Sequence, residues 1–118
     1  MKTTNKISVI ALLVLITTPF YVNAEVSLSD LDTDAELIGW YVACKSVSYN
    51  NEEMTDIGIF FDGKFNEKVS QISSYPVNHQ KYIKSSAMTT SGELIKKRFI
   101  VASCKDLYKN LSTIQNMK

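Results

Sequence analysis

Apolar residues recur along this chain at steps of three and four and nowhere in a sustained alternation of two, which is the signature of amphipathic helices rather than strands. In the first such stretch Leu37, Tyr41, Cys44 and Val47 share one face, with Ile38 and Val42 beside it. Ser29, Asp30, Asp32 and Asp34 lie ahead of or among these positions. Short hydroxyl and carboxylate side chains accept from free amide groups and favour the positive end of the helix dipole, so the pattern predicts a helix over about 31–49. A second stretch follows Asn50-Asn51, with Glu52 and Glu53 in its first turn and Met54, Ile57, Phe61, Phe65, Val69 and Ile72 as its apolar stripe. Ser73-Ser74-Tyr75-Pro76 ends it. Gly58 and Gly63 would each weaken that helix by about 1 kcal/mol relative to alanine, which points to another backbone close by.

The clearest stripe comes last: Ile100, Cys104, Leu107, Leu111 and Ile114, led in by Leu94, Ile95 and Phe99. It predicts a helix over about 93–114. Val77 to Lys84, with His79, Tyr82 and Ile83, reads as a short helix. Ser85 to Gly92 mixes small, hydroxyl and β-branched residues with a glycine and reads as an exposed loop. The expected fold is all-α, a small bundle of about four helices.

The amino end changes which part of the chain counts. Lys2 and Lys6 form a basic head, Ile7 to Phe20 is an apolar run broken only by Ser8, Thr17, Thr18 and Pro19, and Val22-Asn23-Ala24 places small residues at a cleavage site. This is the pattern of a secretory signal peptide over residues 1–24. As a helix the run would reach only about 21 Å, short of the roughly 30 Å hydrocarbon core, so an uncleaved anchor fits less well. The mature domain is then 25–118, exported and free of the membrane, and in a bacterium its compartment is the periplasm.

Loss of Lys2 and Lys6 leaves 11 basic against 12 acidic side chains, and no nucleic-acid footprint remains in that balance. The charges are segregated: Glu25 to Asp62 carries net −8 and Gly63 to Lys118 net +7. The two halves either pack against each other or offer charged faces to a partner.

Two cysteines in an exported chain can pair in one way, so Cys44 is expected to be bridged to Cys104, stapling the first helix to the last. A metal site built on them has only His79 to complete it. Catalysis finds little to work with: one histidine, no thiol once the cysteines are oxidised, and no G-x-S-x-G, H-E-x-x-H or phosphate-loop motif. Glu52, Glu53, Asp56 and Asp62 could formally supply a carboxylate pair but read more simply as a solvated helix start. No enzyme activity, metal or cofactor is expected. Trp40-Tyr41 and Phe60-Phe61 are adjacent aromatic pairs, and neighbours on a helix point about 100° apart. With Tyr41 and Phe61 inside, Trp40 and Phe60 reach the border, covered either by a neighbouring helix or by a second copy in a homodimer.

Ala43-Cys44, Tyr49 followed by polar residues, Asp56-Ile57-Gly58 and above all Cys104-Lys105-Asp106-Leu107-Tyr108 resemble the amidase immunity proteins of type VI secretion systems. The likeness covers roughly residues 35–112, the middle only in helical layout. In that family a Cys-x-Asp-hydrophobic-Tyr segment near the carboxyl end carries a cysteine paired with one in the first helix. The resemblance implies a periplasmic protein, commonly a homodimer, that occludes the active site of a cognate peptidoglycan amidase with a protruding segment near the start of the last helix. By layout that segment falls at Ser85 to Glu93, which makes Ser86, Met88, Thr89, Thr90, Ser91, Gly92 and Glu93 the expected partner-binding residues, though none matches a family residue individually. Met88 either fills a partner pocket or folds back onto the core. A small periplasmic acid-stress chaperone, also exported, helical and with two cysteines, is the alternative.

Overall fold

The computed structural model describes residues 27–117; the expected signal peptide and its cleavage site lie outside them. The described residues form four helices, α1 (Leu28–Tyr49), α2 (Thr55–Ile72), α3 (Val77–Ile95) and α4 (Ile100–Asn116), with one 3₁₀ turn, Glu52–Met54, ahead of α2. None of these helices is long and apolar enough to cross a membrane. The chain divides into two units, residues 1–30 and 31–118. Of the first, the described part is the opening turn of α1, where Ser27 caps the helix: its hydroxyl accepts from the Asp30 amide at 3.2 Å. The bundle lies in the second.

In the bundle α1 is touched by the other three helices on different faces. Lys45 pairs with Asp62 at 2.8 Å and Asp34 with Lys68 at 2.8 Å, so α2 runs antiparallel to α1. Asp32 accepts from the Tyr82 hydroxyl, and Gly39 lies against Ala87 and Thr90, so α3 runs parallel to it. Cys44 is bonded to Cys104, with Cα atoms 5.4 Å apart. The expected disulfide is therefore present, and no described cysteine is free. Both half-cystines are fully buried in a core they share with Tyr41, Met54, Ile57, Phe61 and Ile100. Tyr41 and Phe61 are inside, as their spacing predicts, with ring centroids 6.0 Å apart.

Local chemistry sets the α2 boundaries close to those expected. Asn51 accepts from the Glu53 amide at 3.1 Å, and Thr55 donates to the Glu52 carbonyl at 2.9 Å. At the far end the Gln80 amide donates to the carbonyls of Ser73 (3.2 Å) and Tyr75 (2.8 Å), closing the turn into α3 around Pro76.

The second half of the chain departs from expectation. Ser85 to Gly92 is not a loop, because α3 runs unbroken from Val77 to Ile95. Its small residues serve packing instead: Ile83, Ala87 and Ser91 form a buried i, i+4, i+8 stripe. The hydroxyls of Thr89 and Ser91 bond back to the Ser85 (3.2 Å) and Met88 (3.1 Å) carbonyls rather than opposing the helix. The last helix starts at Ile100, not at 93. Lys96-Lys97-Arg98 offers no apolar side chain to bury, and the chain turns there with residues 95–99 all exposed.

Gly39 makes the α1–α3 contact possible. A Cβ there would sit 2.7 Å from the Thr90 Cβ and 3.2 Å from the Ala87 carbonyl oxygen. Gly58 answers the expectation of close approach, since its Cβ would meet that of Ser48 at 3.0 Å; Gly63 does not, with nothing within 4 Å. Leu37, Val69 and Ile114, expected inside, are exposed, because the buried faces of their helices are set by tighter partners.

Two measurements check this packing. Cys104→Ala should lower unfolding stability by about 2–5 kcal/mol, since the bridge closes a long loop of the unfolded chain; urea denaturation reads the loss. Gly39→Ala should destabilise by about 1–3 kcal/mol through overpacking, whereas Gly63→Ala should stabilise by about 0.5–1 kcal/mol through helix propensity, so the two midpoints should move in opposite directions.

Candidate functional site

The residues expected to bind a partner are dispersed around α3. Met88 is 63% exposed, and Thr89, Gly92 and Glu93 are exposed with it. Ser91 is buried and Thr90 packs on Gly39. Ser86 is partly buried beside Tyr82. A continuous helix sends these side chains in different directions, so they do not form the slim protruding loop that their composition suggests.

The protrusion lies a few residues later. Ile95, Lys96, Lys97, Arg98 and Phe99 form the α3–α4 corner, with Ile95 42% and Phe99 59% exposed. Leu94 packs against the core just before it, and buried Ile100 and Cys104 follow. Three adjacent cations flanked by two apolar side chains are thus held at both ends by packed residues, the second end within one turn of the disulfide. Sequence reasoning missed the corner because the apolar period, Leu94, Ile95, Phe99 and Ile100, runs through it.

Trp40 and Phe60 are both partly buried but occupy different recesses. Phe60 packs edge-on against Tyr108 and Phe61, with centroids 5.1 and 5.3 Å away, and the Lys64 ammonium lies 5.6 Å from its ring. It is mostly covered by its own chain. Trp40 lines a groove of about 510 Å³ between α1 and α4, with Leu37, Tyr41, Leu107 and Leu111 as its apolar floor and Glu36 and Asp106 on its walls. A larger cleft, about 610 Å³, lies among α1, α2 and α3.

His79 is in the first turn of α3 with its Nδ1 lacking a hydrogen-bond partner. Glu52 and Glu53 are exposed in the 3₁₀ turn and Asp56 and Asp62 in the first half of α2, and Asp62 is engaged by Lys45. Among the described residues no three His, Cys, Asp or Glu side chains are placed to hold a metal ion. The best-organised polar cluster joins helices instead: Asp34, 7% exposed, takes the Lys68 ammonium on one carboxylate oxygen and the Tyr75 hydroxyl, at 2.9 Å, on the other. Lys68–Asp34 links the basic and acidic halves of the chain, whereas Lys45–Asp62 lies within the acidic half.

Burial raises the Tyr41 phenol above its ordinary value, against the opposing influence of Lys68, with Glu67 adding to the rise. Tyr82 is raised too, chiefly because its hydroxyl donates to Asp32. A raised native value means that the folded state holds the proton more tightly than the unfolded chain. The associated stability is complete below a pH of about 10 and is lost as pH climbs through the native value. Tyr41→Phe should flatten the alkaline fall in the urea midpoint while keeping the ring contact with Phe61; a fall as steep as the parent's would assign it to other groups.

No family model, no curated protein and no solved structure matches this chain.

Proposed function

We propose that this protein is a periplasmic immunity protein, a binding module that occludes the active site of a cognate type VI secreted peptidoglycan amidase. The observation that carries the reading is the exposed corner Ile95 to Phe99, directly ahead of the last helix, where the family resemblance puts the inserting segment. It replaces the Ser85 to Glu93 loop in that role. A segment that enters an enzyme groove must keep its shape while its side chains remain free, and packed residues at both ends provide that.

The residues behind the resemblance also have coherent places in the fold. In Cys104-Lys105-Asp106-Leu107-Tyr108, Cys104 staples α4 to α1, Leu107 packs on the core and Tyr108 meets Phe60 of α2 edge-on. The motif thereby locks α4 against two helices and positions the corner. A homodimer, also implied by the resemblance, would find its apolar surface in the α1/α4 groove around Trp40 rather than at Phe60.

One feature favours the second reading, an acid-stress chaperone. The acidic and basic halves of the chain are joined by an ion pair, Lys68 to Asp34 at 2.8 Å between α1 and α2, and an acid-activated protein needs charge contacts of that kind holding its helices together. Protection of client proteins at a pH of about 2–3, without a tight partner at neutral pH, would identify that activity.

The test of the first reading is titration of the mature protein against the product of the neighbouring gene, which this reading expects to be the cognate amidase. Phe99→Ala combined with Lys97→Glu should raise the dissociation constant at least tenfold, about 1.4 kcal/mol, with helical circular dichroism unchanged and Met88→Ala binding like the parent. Parental affinity in the corner variant, or absence of any complex, would overturn the assignment.

A further inference from the structure

The cleft among α1, α2 and α3 has the make-up of a small-molecule site. Its volume of about 610 Å³ falls within the roughly 300–1,000 Å³ usual for ligand pockets, which are mostly apolar with a few polar groups to fix orientation. Each helix contributes an apolar pair to its walls: Ile38 and Val42 from α1, Phe65 and Ile72 from α2, Ile83 and Ala87 from α3. The spacing of those walls is fixed by contacts already described, Lys45 to Asp62 between α1 and α2, and Gly39 against Ala87 and Thr90 between α1 and α3.

The charge in the lining has one sign. Lys45 and Lys84 both line the cleft, and no carboxylate does. Lys45 is balanced by Asp62 and lies 4.7 Å from the Phe65 ring centroid. Lys84 is exposed and makes no ion pair among the described residues. The Gln80 amide is already engaged by the carbonyls of Ser73 and Tyr75. What remains is an open apolar cleft with an unbalanced cation beside it, its accessible surface offered by partly buried Val42 and Phe65 and by exposed Val69 and Met88.

We propose that this cleft binds a single-chain amphiphile with an anionic head group, such as a medium-chain fatty carboxylate. The hydrocarbon chain lies across Val42 and Phe65, over a floor of Ile38, Ile83 and Ala87 that the helices themselves bury, covering Val69 and Met88, and the head group pairs with Lys84. Apolar burial supplies the affinity, and the lysine selects the sign of the head group. The inference is independent of the amidase reading, which uses the corner before α4.

Isothermal titration of the mature protein with dodecanoate, below its micelle concentration, and with dodecyltrimethylammonium tests it. Dodecanoate should bind saturably at one site, with affinity rising about fourfold per methylene from octanoate upward. The cation of equal chain length should bind at least tenfold more weakly. Lys84→Glu should weaken dodecanoate at least tenfold without weakening the cation, and Val69→Trp, which places an indole at the rim, should weaken both. Circular dichroism checks that each variant is helical. Equal affinity for the two head groups, no saturable binding of dodecanoate, or parental binding by a helical Val69→Trp variant would overturn the proposal. Should Val69→Trp fail to fold, the head-group preference of Lys84→Glu, an exposed position, decides the matter.

Discussion

The covalent link between Cys44 and Cys104 is the constraint around which this small bundle is organised. It joins two helices separated by 60 residues of sequence, and in the chain-entropy account a loop of that length is worth about 4 kcal/mol against the unfolded state. A domain of this size has a limited apolar core, so that contribution is large beside a typical net stability of roughly 5–15 kcal/mol. The bridge also fixes phase. With both sulfurs fully buried, α1 must turn Tyr41 toward Phe61, and α4 must turn Tyr108 toward Phe60.

At the other end of α1 the work passes to polar side chains and small residues. Asp34 and Asp32 gather Lys68 and the hydroxyls of Tyr75 and Tyr82, tying the amino end of α1 to α2 and α3. Gly39 lets α3 approach until Ala87 and Thr90 touch it. These contacts use opposite sides of one helix: Gly39 and Tyr41 are two positions apart, about 200° of rotation, and serve α3 and α2. A helix gripped on several sides cannot show one clean apolar stripe, which is why the amphipathic pattern of α1 is blurred.

The same arrangement leaves surface free for recognition. Because the helix ends are pinned, the α3–α4 corner can present Phe99 and three cations in solvent without loosening the core, and a cleft stays open between α1, α2 and α3. Large apolar side chains beside like charges are the kind of surface on which a few residues dominate affinity. Both places owe their shape to contacts behind them, so activity at either would be sensitive to the disulfide and to Gly39 as well as to the residues on view.

Periodicity was enough to determine the helical class, the approximate span of α2 and the interior positions of Tyr41 and Phe61, and two cysteines in a chain expected to be exported were enough for the disulfide, because each follows from local spacing or from there being a single way to pair two thiols. The unbroken course of α3 was not legible. Ser85 to Gly92 has the composition of a loop, and it is helical because Gly39, far away in sequence, gives its small face a surface to pack on. The break at Lys96 to Phe99 was hidden likewise, since Leu94, Ile95 and Phe99 continue a helical rhythm that three charged residues and the need to bring α4 back alongside α1 interrupt. The clefts and the exposed corner depend on which helix faces meet, and that is a property of long-range contacts, which only the tertiary structure could decide.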